Sequence, residues 1–551
     1  MAAPEELLDV KDIQGNSLAG FRKDCQRFLF YRMDRTADGI AATRTWLRGL
    51  VPDVSSVAEV NAFNQLFRLM KRRTGHDPRG LSATWLNIAF SADALRLLTS
   101  DAEVDEFTDQ HFKSGLARTA TLLNDPVDAA GNPIGWMVGG PVNEADVLVI
   151  IASDDSAQLE KRLQRLDKAI QQVASAHGAT PLELIFDQIG RVLSAPLRGH
   201  EHFGFKDGVS QPGVRGFVGA SPPELLTARL FDPSVHQADA TLPEFSRPGQ
   251  PLVWPGQFVF GYNRQQTQDT RVPLPAETLA PTTPPWGRNG SYVVVRRLRQ
   301  DVKAFRMFIN KAAQELEGVD GFSDMSADRF AALMVGRWPS GAPLMRTAGV
   351  DDPALGTDDH ASNFFQYEND SPPAMMLDPS LNYSGDAFPT SRADFSGRQC
   401  PLAGHIRKVN PRDGTTEQGN SSDVLTRLVL RRGIPFGEAY DIADPLTRDL
   451  PEHDRGLMFV SYQTSIESQF VFLQTKWVNN AVDPNNGGGQ DPIIGQRPEN
   501  GRARTFTVVG SNGAPHNVAV DAEWVVPTGG GYFFSPSIST IANVLGRAGT
   551  T

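Results

Sequence analysis

The segment GHEHFGFKDGVSQPG, residues 199–213, combines side chain types that take part in acid–base and metal chemistry. It holds His200 and His202 two positions apart and then Asp207, with four glycines around them. A metal site, a phosphate-binding loop, a plain turn and a catalytic carboxyl on a folded loop are all compatible with it. Two histidines supply only two ligands where metal sites take three or four, so the pair favours a structural role.

A second segment, QCPLAGHIRKVNPR at residues 399–412, sets a single histidine among small and apolar residues. His405 is followed by three cations, Arg407, Lys408 and Arg412. A lone histidine is more often structural than a ligand. An imidazole followed by several cations is, however, what an iron porphyrin with two carboxylates would need. Both interpretations of His405 stay open on the residues alone.

A third segment, LVLRRGIPFG at residues 428–437, ends an apolar run with Arg431 and Arg432 before a glycine turn. The ordinary interpretation is a solvated strand end. The other is an arginine that lies over a cavity at the end of a buried strand. The local pattern alone does not decide between them.

The rest of the chain excludes several classes of protein. It contains no P-loop, H-E-x-x-H, C-x-x-C, G-x-S-x-G or Rossmann fingerprint in a suitable setting. The net charge of −11, from 53 basic and 64 acidic residues, is unfavourable for nucleic-acid binding, which needs clustered positive charge. Cys25 and Cys400 are too few for a disulfide framework or a thiolate metal cage.

The start of the chain and its hydropathy bear on the compartment. MAAPEELLDVKD has acidic residues where a secretory signal would be basic, and no apolar run follows it. No stretch of about 18 apolar residues is present to span a bilayer. We therefore expect a cytoplasmic protein with neither a nucleic-acid nor a membrane partner.

Strands and helices alternate in the first half of the chain. ADVLVIIASDDSAQLEKRLQRLDKAIQQV begins with a buried-strand run at 147–151 and continues, after an N-cap cluster at 154–156, with leucines at helical spacing. CQRFLFYRM, WLNIAFS and LELIFDQI have the pattern of strands, and residues 41–50 that of a helix. Residues 20–190 therefore form a predicted β-α-β-β-α-β unit.

The second half repeats this plan. A strand at 292 and a helix from 301 are followed by LTRLVLRRG and GLMFVSY as the second and third strands. A helix from 465 and a last strand near GGYFFSP complete the unit. The sequence thus predicts an α+β protein of two ferredoxin-like domains, each an antiparallel β-sheet with packed helices.

The domain boundary is predicted within residues 215–256, which are rich in proline, glycine and polar residues. This gives an N-terminal domain over 1–230, which carries Asp207, and a C-terminal domain over 231–551. Residues 340–400 lack periodicity and are predicted to form a long loop excursion over the surface. Loops of that length in compact enzymes are more often functional than idle.

Taken together, these segments resemble the dye-decolourising peroxidases, haem enzymes with two ferredoxin-like domains. The G-x-x-D-G signature of that family appears as GFKDG at 204–208, its proximal-histidine segment as CPLAGHIRKVNPR and its distal-arginine segment as LRRGIPFG. Other family-like stretches follow the family's order across nearly the whole chain: DIQGNSLAGF, WPGQFVFGY, RNGSYVVVRRLRQDV, GRWPSGAPL, MFVSYQTSIESQFVFLQTKWVN and DPIIGQ.

The resemblance implies a cofactor and its ligands. His405 would be the axial ligand of the iron in haem b (iron protoporphyrin IX), which the C-terminal domain would mainly hold. Arg407 and Arg412 would bind the same cofactor. Asp491 in GQDPIIG would be the carboxylate against the proximal imidazole, with Asp423 as the alternative. An ordinary Asp-Pro turn is the structural interpretation of Asp491.

The resemblance also implies a reaction. Asp207 would be the distal acid–base group and Arg431, rather than Arg432, the distal arginine. The enzyme would use hydrogen peroxide to form a ferryl intermediate that oxidises dyes and phenolic or other aromatic reductants in one-electron steps. An ordinary aspartate titrates near about 3.9 and a histidine near about 6.5, so an aspartate base predicts an acid optimum.

Two questions stay open after the resemblance. A protein that handles haem on the same scaffold, for instance by releasing its iron, is the alternative function. The presence of both Asp207 and Arg431 favours the enzyme, because a carrier needs no acid–base pair. A homo-oligomer is an open alternative to a monomer.

Overall fold

The first half of the chain forms the predicted β-α-β-β-α-β unit, in a computed structural model of the protein. Its strands are β1 (Cys25–Met33), β2 (Thr84–Phe90), β3 (Val147–Ser153) and β4 (Leu182–Arg191). Its helices are α1 (Gly15–Leu18), α2 (Ala37–Leu50), α3 (Val57–Thr74), α4 (Ala92–Leu98), α5 (Asp101–Asp105), α6 (Gln110–Ser114) and α7 (Ser156–His177). Every residue of β3 is buried, as its continuous apolar run predicts. The structure describes residues 5–78, 80–219, 225–227, 245–247, 249–267, 273–274, 282–358, 361–370, 388–419, 421–440, 454–485, 487–497 and 503–548.

A long connecting region, residues 192–290, separates the two halves. It holds the small strands β5 (Gly213–Val214), β6 (Phe245–Arg247) and β7 (Gln250–Val253). The predicted boundary between residues 230 and 231 lies outside the described residues. It therefore stays a prediction.

The second half repeats the unit. Its strands are β8 (Ser291–Gln300), β9 (Leu430–Arg431), β10 (Ile434–Phe436), β11 (Gly456–Gln463), the hairpin β12 (Arg504–Val509) and β13 (Pro515–Val520), and β14 (Val525–Ser535). Its α-helices are α8 (Val302–Glu317), α9 (Ala327–Val335), α10 (Pro353–Thr357), α11 (His405–Val409), α12 (Asp423–Arg427) and α13 (Ile538–Thr540). Three segments are π-helical: Ile466–Val471, Leu473–Val478 and Ile541–Leu545. Short 3-10 turns are Val51–Asp53, Ala117–Thr119, Pro255–Gln257, Pro285–Gly287 and Ala361–Asn363.

One nine-stranded sheet joins the two halves. Its order is β10-β11-β8-β14-β2-β3-β1-β4, with β9 paired to β11. Within each half the strands follow the order second, third, first, fourth, and their pairings are antiparallel, which confirms the ferredoxin-like prediction. The halves meet where Phe534 of β14 pairs with Phe90 of β2. At the far edges, a Cβ on Gly190 of β4 would lie only 2.4 Å from Ile434 of β10, so the sheet curls toward a barrel.

Two predicted elements need correction. The segment LTRLVLRRG is not one strand, since its first part is α12 and only Leu430–Arg431 pairs with β11. The helix predicted from residue 465 is π-helical, although Ile466, Phe470 and Trp477 are buried as the spacing predicts.

The region 340–400 also departs from its prediction. The sequence predicts a path over the surface, but most of the large apolar side chains that the structure describes in this region are buried in the core around α8 and α9: Leu344, Met345, Leu355, Phe365 and Tyr367. Irregular backbone can bury apolar residues without any periodicity in the sequence, so the lack of periodicity in residues 340–400 does not indicate exposure. Residues 359–360 and 371–387 of this region lie outside the described residues. None of the helices in the described ranges is long and apolar enough to cross a membrane.

Candidate functional site

A cavity of about 320 Å³ lies between the sheet of the second half and the helices packed over it. This volume is in the range of ligand pockets. The sheet side is lined by Leu298 and Gln300 of β8, Leu457 and Phe459 of β11, and Arg431 of β9. The helical side is lined by residues of α11, of the π-helical segments Ile466–Val471 and Leu473–Val478, and of the chain that follows these segments: His405, Ile406, Val409, Phe470, Leu473, Val478, Ile493 and Ile494.

On the helical side, His405 is held by a buried carboxylate. The residue begins α11, and its imidazole Nδ1 donates a hydrogen bond of 2.8 Å to Oδ2 of Asp491. The other oxygen of Asp491 accepts the backbone N–H groups of Ile493 and Ile494 at 2.8 and 2.9 Å. Burial acts to raise the pKa of Asp491, but His405 and these amides together hold it below its ordinary value.

This arrangement fixes the tautomer of His405. Because a carboxylate only accepts, Nδ1 carries the proton and Nε2 keeps its lone pair. Nε2 forms no hydrogen bond with any residue that the structure describes. The imidazole is therefore available as a metal ligand, with the hydrogen-bonded carboxylate behind it that such ligands usually have.

Asp423, the alternative partner, lies elsewhere. Its carboxylate is bonded to Arg427 at 2.9 Å and accepts from Thr426 within α12. It makes no described contact with His405. Of the two aspartates weighed from the sequence, Asp491 is the one in contact with the imidazole.

On the sheet side, Arg431 and Asp207 face each other. Nη1 of Arg431 lies 3.5 Å from Oδ1 of Asp207, and the two side chains are 35% and 37% exposed. Nη2 of Arg431 donates to the backbone carbonyl of Ser210 at 2.8 Å, and the amide of Gln211 binds both backbone polar groups of Arg431. The neighbouring Arg432 instead donates to the carbonyls of α1, so its role is structural.

The loop before Asp207 is tightly folded. Gly204 and Gly208 have φ of 98° and 69°, backbone conformations that favour glycine. The buried imidazole of His202 is bonded to the carbonyl of Phe436 at 2.8 Å, and His200 is bonded to the carbonyl of Arg198. No group of three metal-ligating side chains occurs within the described ranges. Both histidines are thus bonded to backbone carbonyls, and a structural role for the pair stays the interpretation that its spacing favours.

One end of the cavity carries two cations, the buried Arg337 and the half-buried Arg412. Arg412 lies over the ring of Phe365 at 3.7 Å and donates only to backbone carbonyls, and Arg337 donates to carbonyls and to Asn363. Neither forms an ion pair with a described residue. Burial, then the charge of Arg412, lowers the pKa of Arg337 to about 9. An anionic group at this end would stabilise both guanidinium groups.

Arg407 is not brought to the cavity. Its guanidinium donates to the carbonyls of Cys400 and Asp394, both at 2.9 Å, and lies over the ring of Tyr367. Arg337, rather than Arg407, lines the cavity together with Arg412. In the sequence, the one feature that points to Arg337 is its position in the family-like stretch GRWPSGAPL.

Comparisons with known proteins identify the family of the chain. Residues 12–180 match the family model described as the DyP dimeric alpha+beta barrel domain, and residues 383–486 the model described as Dyp-type peroxidase, C-terminal. A dye-decolorizing peroxidase of Exidia glandulosa is 31% identical over 98% of this chain and 87% of its own length. The chain belongs to the dye-decolourising peroxidase family. The dye-decolorizing peroxidase msp1 of Mycetinis scorodonius is 29% identical over 98% of this chain and 88% of its own length.

Solved structures of the family agree. An ancestral D-type dye-decolorizing peroxidase superposes with a TM-score of 0.75 at 30% identity, covering 98% of this chain and 99% of the other. The chain is therefore a hydrogen-peroxide-dependent oxidoreductase that acts on dyes, and its family depends on haem. The described residues fit a haem group, because the cavity offers an imidazole with a free Nε2, apolar walls and two arginines, Arg337 and Arg412, that form no ion pair with a described residue.

Proposed function

We propose that this dye-decolourising peroxidase binds haem b with His405 on the iron and uses Asp207 and Arg431 to activate hydrogen peroxide. One observation carries the proposal. A carboxylate-backed imidazole and a carboxylate–guanidinium pair line the same cavity, from its helical and sheet sides respectively.

Each residue has a distinct task in this proposal. When bound, haem supplies the redox-active iron at which hydrogen peroxide is reduced to water. Asp491 holds His405 in one tautomer and makes it a stronger electron donor. The carboxylate of Asp207 accepts the proton of the nearer peroxide oxygen and delivers it to the farther one. Arg431 stabilises the negative charge that develops on the departing oxygen.

The cationic end of the cavity supports the choice of haem b. Its porphyrin carries two carboxylates, and the buried Arg337 and half-buried Arg412 are two guanidinium groups that form no ion pair with a described residue. We assign the cofactor carboxylates to these two residues. Arg407 remains a prediction without a described contact to the cavity.

The substrates proposed are dyes and phenolic or other aromatic reductants, oxidised one electron at a time. A haem-handling role that releases iron is the alternative, and no observation favours it over the enzyme. That Asp207 and Arg431 face each other at the cavity supports catalysis, because binding alone requires no acid–base pair.

Four further predictions accompany the proposal. The protein acts in the cytoplasm, without a nucleic-acid or membrane partner. Its N- and C-terminal domains span residues 1–230 and 231–551. The choice between a monomer and a homo-oligomer stays open. Cys25 and Cys400 are free thiols, in keeping with a reducing compartment.

An absorption spectrum before and after one equivalent of hydrogen peroxide tests cofactor and reaction together. We expect a Soret band in the purified protein, its change on adding peroxide, and its return on adding an anthraquinone dye that is bleached. A protein with a Soret band that peroxide leaves unchanged would favour the haem-handling alternative. A protein that takes up no haem would contradict the proposal.

A further inference from the structure

Glu201 is a carboxyl of the cavity wall that the reaction above does not use. Its two oxygens accept the backbone N–H groups of Phe205 and Phe203, both at 2.9 Å. The side-chain amide of Gln300 on β8 also donates to it. The carboxyl therefore closes the backbone of the loop just before Asp207 and ties that loop to the sheet.

Gln300 and Gln496 continue the polar lining of the cavity from Glu201. The Oε1 atoms of both glutamines are buried and have no hydrogen-bond partner in the described structure. Gln496 donates to the carbonyl of Val525, which is paired in register with Gln300. These two unpartnered acceptors require donors, which water in the cavity supplies.

The charged groups around Glu201 are few. On its own loop, His202 is bonded to Phe436, Lys206 donates to the carbonyl of Gly356, and Asp207 carries the neighbouring carboxyl. Burial, and then the repulsion of Asp207, raises the pKa of Glu201 to about 7 in spite of the hydrogen bonds it accepts.

Among the described residues that contact the Glu201 carboxyl, the elements packed on the loop contribute no further carboxyl. From the sheet, β8 contributes the uncharged Gln300, and Arg296 further along β8 is paired with Asp125 at 2.8 Å. From β9, Arg431 is directed to Asp207 and Ser210. Asp207 is thus the carboxyl partner to which the ionisation of Glu201 is coupled.

We propose that Glu201 is a positioning residue for Asp207, one that folds the loop carrying Asp207 and whose ionisation weakens the Asp207–Arg431 pair. The proposal rests on the function proposed above for that pair. As the pH rises through about 7, Glu201 loses its proton and adds a second negative charge beside Asp207. That charge opposes the negative charge developing on the departing oxygen.

The test variant is Glu201→Gln, which keeps the shape but cannot ionise. Stopped flow measures the rate constant of the peroxide reaction. In the wild type this rate constant should fall by roughly threefold or more between pH 6 and 8.5, the size of effect expected from one coupled titration. This fall should be absent in Glu201→Gln. Asp109→Asn is the matched control, since Asp109 also accepts backbone N–H groups, from Ile466 and Glu467, but does not line the cavity.

A second readout needs no turnover. In Glu201→Gln one of the two loop amides loses its acceptor, so hydrogen exchange at Phe203 or Phe205 should speed up about tenfold in the resting holoenzyme, the equivalent of one hydrogen bond. The infrared C=O stretch of a protonated carboxyl should also disappear from the wild-type spectrum above pH 7 and be missing in the variant.

The outcomes separate clearly. A rate that falls above pH 7 in Glu201→Gln as in the wild type, or unchanged amide exchange, would overturn the positioning role. If the fall in the rate constant above pH 7 were also lost in Asp109→Asn, the pH effect would not be specific to Glu201. If Asp207→Asn kept full activity, the proposed function would fail, while the exchange and infrared results would still report on Glu201.

Discussion

The two sides of the cavity hold their polar groups in opposite ways. On the helical side, Asp491 is completely buried, is bonded by two backbone amides and contacts His405 at 2.8 Å. On the sheet side, Asp207 and Arg431 are each about one third exposed and 3.5 Å apart. The Asp491–His405 pair is therefore fixed by a short, buried hydrogen bond, whereas Asp207 and Arg431 form a longer and more exposed contact.

This difference matches two tasks. A metal ligand gains from a fixed tautomer and orientation, which the buried carboxylate provides. An acid–base group must exchange protons with a small substrate that enters and leaves, so a long, accessible contact with the arginine leaves it free to do so. Changes on the helical side should therefore affect cofactor binding first, and changes on the sheet side the reaction with peroxide.

The largest effect is expected from His405→Ala. Without the imidazole no other described side chain at the cavity replaces the axial ligand, so haem retention and dye oxidation should fall to the level of free haem. The Soret band of the purified variant measures this. His76→Ala, at an exposed loop position, is the control and should leave the spectrum unchanged. A normal Soret band in His405→Ala would contradict the assignment.

Asp207→Asn should leave the Soret band intact and slow the reaction with hydrogen peroxide by about 10²- to 10⁴-fold, the usual contribution of a general acid–base group. The asparagine keeps the shape but accepts no proton. Because a carboxylate base is lost only in acid, the wild-type rate should hold as the pH is lowered from 7 toward the ordinary pKa of an aspartate, about 3.9. Stopped-flow rates across pH 3 to 7 test both statements (the range around an ordinary carboxyl), and a variant with wild-type rates would refute the acid–base role.

A smaller effect is expected from Asp491→Asn. Partners of a metal-ligating histidine usually contribute about 10- to 100-fold to metal affinity or activity, so the variant should lose haem affinity or turnover by that factor. The matched control is Asp423→Asn, an equally buried aspartate that contacts Arg427 instead of His405. Equal losses in the two variants would show that general destabilisation, rather than the contact with His405, is responsible.

The sequence predicted most of what local pattern controls. The buried run of β3 and the helical spacing of α7 were sufficient for the first half, because burial on a sheet or on one helix face leaves a periodic trace. The short strand β9 and the π-helical turns were not predictable. A two-residue strand has no period, and residues at 466, 470 and 477 are compatible with both kinds of helix.

The site was predicted less evenly, for a physical reason. His405, Asp207 and Arg431 stand in segments with family-like neighbours, so the resemblance singled them out, and the structure brings all three to one cavity. The direction of an arginine side chain depends instead on distant contacts. Arg407 is turned away by Asp394 and Tyr367, and no local feature of residues 399–412 indicates this.

The smallest effect distinguishes Arg337 from Arg407. Arg337→Gln removes one of two cations from the end of the cavity, and Arg412 remains, so haem affinity should fall only about tenfold, equivalent to one charge-assisted hydrogen bond. Arg407→Gln should leave haem affinity unchanged. It should lower the free energy of unfolding by about 3 kcal/mol, because it breaks a buried pair with Asp394.

Titration of the cofactor-free variants with haem, alongside their thermal melting, measures both quantities. Arg407→Gln should still fold, because the carboxylate of Asp394 keeps the backbone N–H groups of Arg398, Gln399 and Cys400 as donors. A tenfold loss of haem affinity in Arg407→Gln with none in Arg337→Gln would reverse the assignment. It would mean that the cation following His405 in sequence, rather than the one beside Arg412 in space, binds the cofactor.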